Sequence, residues 1–264
     1  MAGGDPALLA AAHQALQGTV GSFVWQEQRY VAKRLQAKPP LFLEAPLLAW
    51  CARRLAGQPL RPPALAADAT YERRRLQALA AAGQPVPPVL AWDETLMVLP
   101  HWGRDGFAVL KGLEQQQRQP FLRQRVEELA RFHAAGHWHG GAQIKNLLLR
   151  EDGSCWRIDF EEAALERLPL ALAQAYDLVL FLNVLPLAGP IDETESRALL
   201  PALLAAYFAS HPAAPVRQCL TRMLPWARRL RALARPFRRL SRKSVRRAEI
   251  LIDCLEAFLV PPHA

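Results

Sequence analysis

The chain has 264 residues, 51% of them apolar and 22% charged, enough to bury one large core or two small lobes; such a composition excludes a disordered or fibrous protein. Its formal charge of +9 is uneven: between Arg228 and Arg247 ten of twenty residues are Arg or Lys and none is acidic, which points toward a polyanion. Cys51, Cys155, Cys219 and Cys254 fall into no C-x-x-C pair or other metal-ligand spacing, so a reducing cytoplasm is the simplest home.

The opening stretch is alanine-rich, carries Asp5 and lacks a basic n-region, unlike a secretory signal. Residues 19–25 and 29–35 are β-branched and aromatic runs around the polar Gln26-Glu-Gln28, which predicts a hairpin with Lys33 on its second strand. Residues 36–70 hold Pro39-Pro40 and Pro62-Pro63 around a helical stretch over 43–55, where Leu47, Leu48, Cys51 and Leu55 share helical spacing. This segment is expected to be an insertion packed on the β-rich first part. A helix over 71–82, carrying Glu72, ends at Gly83. Pro85-Val-Pro-Pro88 forces an extended chain, and strands follow at 89–92 and 95–99 around Asp93-Glu94.

An amphipathic helix is expected over 120–135, with Pro120 in its first turn and Val126, Leu129 and Phe132 on one face. It leads into Gly136-His-Trp-His-Gly-Gly141, then into short strands at 146–149 and 155–160 around Glu151-Asp-Gly153. Beyond Asp177 the pattern is helical. The most apolar stretch, around 178–189, lies between Asp177 and Asp192 and falls short of the about 18 apolar residues that a membrane span needs. No internal repeat argues for a solenoid.

Residues 129–149, reading L-A-R-F-H-A-A-G-H-W-H-G-G-A-Q-I-K-N-L-L-L, resemble the helix, catalytic loop and strand of the protein-kinase superfamily, whose loop reads H-R-D-x-x-x-x-N or H-G-D-x-x-x-x-N. His139 and Asn146 hold the H and N positions, and Asp159, thirteen residues after Asn146 in Arg157-Ile-Asp-Phe-Glu161, matches the metal-binding D-F-G segment. Val31-Ala-Lys33 resembles the V-A-I-K strand, with Glu72 as the lysine's ion-pair partner. Gln84-Pro-Val-Pro-Pro-Val-Leu90 resembles the link after that helix in aminoglycoside-phosphotransferase-like kinases. Gly18 and Gly21 read either as a shortened phosphate-covering loop or as a plain hairpin turn. Leu99, His101 and Trp102 are expected at the hinge that meets adenine through backbone groups. Asp177 resembles the helix aspartate that braces the catalytic loop, and the seventeen residues between it and Asp159 leave no room for a long peptide-docking segment.

The resemblance implies an α+β, two-lobed protein-kinase-like fold, a small β-rich lobe over 1–102 and a helical lobe over 103–264, nearest to lipopolysaccharide-core sugar kinases and small atypical bacterial kinases. It implies ATP and Mg²⁺ as cofactors, Asn146 and Asp159 as metal ligands, and Gly18, Gly21, Lys33, Glu72, Leu99 and His101 around the nucleotide. An amide oxygen and a carboxylate must converge on Mg²⁺ at the phosphates, and a hairpin between Asn146 and Asp159 achieves that.

Gly141 stands where the superfamily has its catalytic aspartate, and glycine cannot accept a hydroxyl proton. His139, Gln143 or Glu161 would then orient the acceptor, and Lys145 is read as a solvated or phosphate-stabilising lysine. His133 and His137 read as structural. Two functions stay open: a phosphotransferase acting on a hydroxyl of a small molecule, glycolipid or protein, and a nucleotide-binding pseudokinase scaffold. A nucleic-acid-binding module rests on the basic block alone. From Trp226 onward Leu230, Leu233, Phe237 and Leu240 recur at helical spacing between arginines, interrupted at Pro236. That pattern fits either an anchor on an anionic glycolipid or inner-membrane surface or a helix pair whose apolar stripe faces the core.

Overall fold

The computed structural model describes residues 2–37, 44–101, 103–150, 152–234 and 242–260, and over these the chain is α+β. Pro39, Pro40, Leu43, Trp102, Glu151, Pro236, Phe237 and Leu240 lie outside the described residues. The chain forms two compact units, one of residues 1–44, 62–106 and 145–166, the other of 45–61, 107–144 and 167–264. The division expected at residue 102 is therefore crossed twice: the hairpin carrying Asp159 joins the first unit, and the early helical insertion joins the second.

In the first unit an antiparallel sheet runs in the order β1 (Gly3–Gly4), β4 (Ala91–Trp92), β5 (Leu96–Pro100), β3 (Gln28–Arg34), β2 (Val20–Trp25). Gln26 and Glu27, at φ +46° and +65°, form the two-residue turn between β2 and β3, where left-handed backbone matches the twist of the strands. A helix missed by the periodicity reading, α1 (Pro6–Ala15), starts at Asp5, whose carboxylate accepts the N–H groups of Ala7 and Leu8, with Pro6 in the first turn. Leu8, Ala12 and Leu16 bury against Tyr30, Ala32, Ala91, Leu96 and Val98. Because strand side chains alternate, Tyr30 and Ala32 on that face put Val31 and Lys33 on the other.

The helix α3 (Tyr71–Ala81) stops where Gly83 takes φ +69°, and the N–H groups of Gly83 and Gln84 cap the carbonyls of Ala80 and Leu79. A second sheet of the same unit runs β6 (Arg104–Asp105), β7 (Leu147–Leu149), β8 (Cys155–Arg157). The last two strands are shorter than expected and β6 was not expected at all; Gly103 permits its approach, since a Cβ there would lie 2.1 Å from the Leu149 carbonyl oxygen.

The second unit is helical: α4 (Gly106–Gly112), α5 (Gln115–Ala134), α6 (Leu170–Asn183), α7 (Glu193–Ser210), α8 (Ala214–Ala234) and α9 (Arg242–Leu259). Its core joins Leu122, Val126, Leu129 and Phe132 of α5 to Phe181, Leu200, Leu204 and Tyr207 of the following helices. α5 begins five residues before Pro120, because Glu114 and Gln117 close a reciprocal capping box that satisfies the first turn. The insertion is α2 (Glu44–Cys51), continued by a π-helical turn at Ala52–Ala56. Within the second unit it packs on α6 and α8: Ala52 and Leu55 are buried, and Arg222 donates to the Leu55 carbonyl at 3.4 Å. Among the described residues no helix is long and apolar enough to cross a membrane.

Candidate functional site

Lys33, carried on the face of β3 away from α1, meets three carboxylates within the first unit. Its Nζ lies 2.8 Å from Glu72 Oε2 on α3 and 3.1 Å from Asp159 Oδ1, and it also contacts Glu161. Asn146 precedes β7 and Asp159 follows β8, so the ladder brings them together: Ile158 N–H donates to the Asn146 carbonyl at 3.1 Å, and Asn146 Nδ2 stands 3.5 Å from Asp159 Oδ2. Asp159 has φ +72°, a left-handed conformation uncommon for a residue with a Cβ and concentrated at functional sites.

One ammonium among three carboxylates leaves negative charge in excess. Burial would lower the Lys33 pKa, but Glu72, Glu161 and Asp159 outweigh it and raise the value, so the lysine stays charged. Burial raises the Glu72 pKa; Lys33 opposes this, while Glu161 and Asp159 add to it. Both shifts express the same imbalance. One oxygen each from Glu72, Asp159 and Glu161 lies within 4.8 Å of the others, an all-oxygen donor set of the kind that holds a hard dication. Excess charge and donor chemistry both suit a hard dication. Glu161 was expected to orient an acceptor, and its place beside Lys33 was not foreseen. The signal lay in Asp159-Phe-Glu161, where two carboxylates flank an aromatic residue that is fully buried.

A second ion pair, also unforeseen, fixes α3. One turn beyond Glu72, Arg75 Nη1 lies 2.7 Å from Glu166 Oε1, and Ala64 N–H donates to Glu166 Oε2 at 3.1 Å. The same guanidinium sits 5.9 Å from the centre of the Phe160 ring. The helix bearing Glu72 is thus tied through Arg75 to the segment that follows Asp159.

Other expected nucleotide contacts are placed differently. Gly18 lies in an exposed bend where a Cβ would meet nothing within 4 Å, and Gly21 is a strand residue paired with Ala32. Neither is in the hairpin turn, which belongs to Gln26 and Glu27, so the plain-turn reading does not describe their position. Leu99 is buried in the ladder opposite Val31, and His101 N–H donates to the Arg29 carbonyl at 3.1 Å; adenine recognition through that N–H would have to displace a strand bond.

Within the second unit, the loop 136–143 is held by Asp177. Its carboxylate accepts the N–H groups of His139 at 2.5 Å and Gly140 at 2.7 Å and lies 3.3 Å from His133 Nε2. Burial pushes the Asp177 pKa up, but His133 and His139 outweigh it and hold it below the ordinary value. Gln174 Nε2 donates to the carbonyls of His133 and His137. His139 has its ring buried, and Nδ1 accepts the Gly141 N–H at 3.0 Å, which makes the imidazole a brace for the loop backbone. Gln143 is half-buried, its N–H on the Gly141 carbonyl, and Lys145 is exposed. His133 Nδ1 lies 2.6 Å from the Tyr207 hydroxyl, a structural placement.

No protein-family model matches the chain, and no curated protein is a significant match to it.

Proposed function

We propose that the chain is a compact, two-lobed, kinase-like phosphotransferase that binds ATP with Mg²⁺ and passes the γ-phosphoryl group to a hydroxyl acceptor. The observation that carries this reading is the convergence of Lys33, Glu72, Asn146 and Asp159 from a strand, a helix and a hairpin. In this reading Lys33 would bind the α- and β-phosphates, and Glu72 would aim the lysine and, with Asn146, Asp159 and Glu161, supply the oxygens that hold the dication. When bound, the dication would supply charge neutralisation at the phosphate oxygens. The acceptor oxygen forms the new P–O bond as the bond to the ADP oxygen breaks, and the acceptor proton passes to solvent. Positioning dominates phosphoryl transfer, whereas a general base contributes about 10²–10⁴ in rate, so Gly141 lowers turnover without removing the route.

One observation favours a second reading, a nucleotide-binding pseudokinase scaffold: Gly141 replaces the acid, and the His139 ring is engaged by the loop backbone. The purified protein incubated with Mg²⁺ and γ-labelled ATP, with sugars, glycolipids and proteins as acceptors, separates the two. Label transfer and ADP formation in the wild type support the enzyme. Silence in the wild type with activity gained in Gly141→Asp supports the scaffold, and no nucleotide binding by either protein sinks both.

A further inference from the structure

The first half of α8 is anchored in its unit by Val216, Cys219, Leu220 and Leu224, all buried. Its second half is not: Trp226, Leu230 and Leu233, at i, i+4 and i+7 on one face, are 37%, 66% and 69% exposed. α2 extends that face. Trp50 packs edge-on against Trp226 with ring centroids 4.8 Å apart, and Leu47, one turn earlier, is 59% exposed. The core-facing stripe is therefore ruled out for Leu230 and Leu233. Cations border the patch: the Arg229 guanidinium lies 4.8 Å from the Trp226 ring centre, and Arg53 and Arg54 are exposed on the turn after α2.

Four described arginines of the basic block are engaged internally. Arg228 pairs with Glu256, Arg231 with Asp253, and Arg246 with Glu193 and Glu249, while Arg247 donates to the carbonyls of Pro186 and Leu187. Among the described residues, what α2 and α8 present outward is an apolar, tryptophan-bearing face with a cationic border.

We infer that this α2–α8 face docks on an anionic lipid bilayer. Indole rings favour the headgroup level, leucines the acyl boundary beneath it, and guanidinium groups the anionic headgroups. A second copy of the chain fits less well, because a two-fold contact through this face would bring two cationic borders together with no acidic group among these patch residues to match them. The inference stands apart from the phosphotransferase reading, since it uses none of the residues around Lys33.

Sedimentation of the full chain with phosphatidylcholine vesicles, with and without phosphatidylglycerol, at low and high salt, tests it. Binding is expected only with phosphatidylglycerol, weakened by salt, and lowered about tenfold or more in the double variant Leu230→Glu, Leu233→Glu. Both leucines are exposed, so the variant should melt like the wild type. Failure to pellet at low salt, equal pelleting on neutral vesicles, or undiminished pelleting of the double variant would each overturn the inference. So would a concentration-dependent dimer, dissociated by the same substitutions, in a protein that ignores vesicles.

Discussion

Lys33 Nζ donates to Glu72 Oε1 at 2.9 Å, joining β3 to α3 across 39 positions of sequence, and the same ammonium reaches Asp159 Oδ1 at 3.1 Å. If this junction receives the phosphates, replacing either end should weaken nucleotide binding without unfolding the protein. A charge-assisted hydrogen bond contributes about 1.5–3 kcal/mol, so Lys33→Met and Asp159→Asn should each raise the Kd for ATP·Mg²⁺ by roughly 10- to 100-fold. Titration calorimetry measures this directly. Unchanged affinity in both variants would place the nucleotide elsewhere.

Glu72 gives the junction a pH dependence. Its folded pKa is raised above 4.5, so between the unfolded and folded values the native state holds the extra proton, and stability falls as pH rises through that window. A dication binds the ionised form, so Mg²⁺ affinity should climb over the same window and level off once Glu72 is ionised. Glu72→Gln should melt at or above the wild-type temperature in the absence of metal, lose the pH slope, and show a smaller thermal shift with Mg²⁺. A metal-induced shift as large in the variant as in the wild type would remove Glu72 from the donor set.

The strand carrying Lys33, the helix carrying Glu72 and the hairpin between Asn146 and Asp159 were legible because local signals set them: β-branched runs, a glycine stop and the turn at Asp152-Gly153. Helix α1 had such a signal in Asp5-Pro6, but its alanine-rich body hides a weak apolar stripe. The other misses are tertiary. Nothing in a short segment with Ala52 and Leu55 at helical spacing says which unit will bury them. Nor does sequence pair Arg75 with Glu166, 91 positions away.

That pair makes its own prediction. Arg75 and Glu166 are both buried, and removing one partner leaves an uncompensated charge, which costs about 3–5 kcal/mol. Glu166→Leu should therefore be strongly destabilising in urea melts, whereas the double variant Arg75→Met, Glu166→Leu should recover most of the loss. If the pair also positions α3, the double variant should refold yet bind ATP·Mg²⁺ more weakly, because Glu72 would no longer be fixed relative to Asp159. Full stability together with full affinity would limit the pair to packing.

Asp177 accepts two backbone N–H groups from the loop 136–143 while fully buried, and its carboxyl is held below the ordinary 3.8 chiefly because His133 and His139 overcome the opposing effect of burial. A depressed carboxylate contributes its full stability above the unfolded pKa and loses it as pH falls through the folded one. In the wild type the acid limb of the stability curve should extend below the ordinary aspartate range. Asp177→Asn keeps one acceptor but turns a donor toward groups that need an acceptor, so it should cost roughly 2–4 kcal/mol at neutral pH. The loss should shrink as pH drops, since the wild type approaches the same uncharged state, and the two urea midpoints should converge in acid. A constant difference between them from neutral pH down into the acid limb would show that Asp177 acts through shape alone.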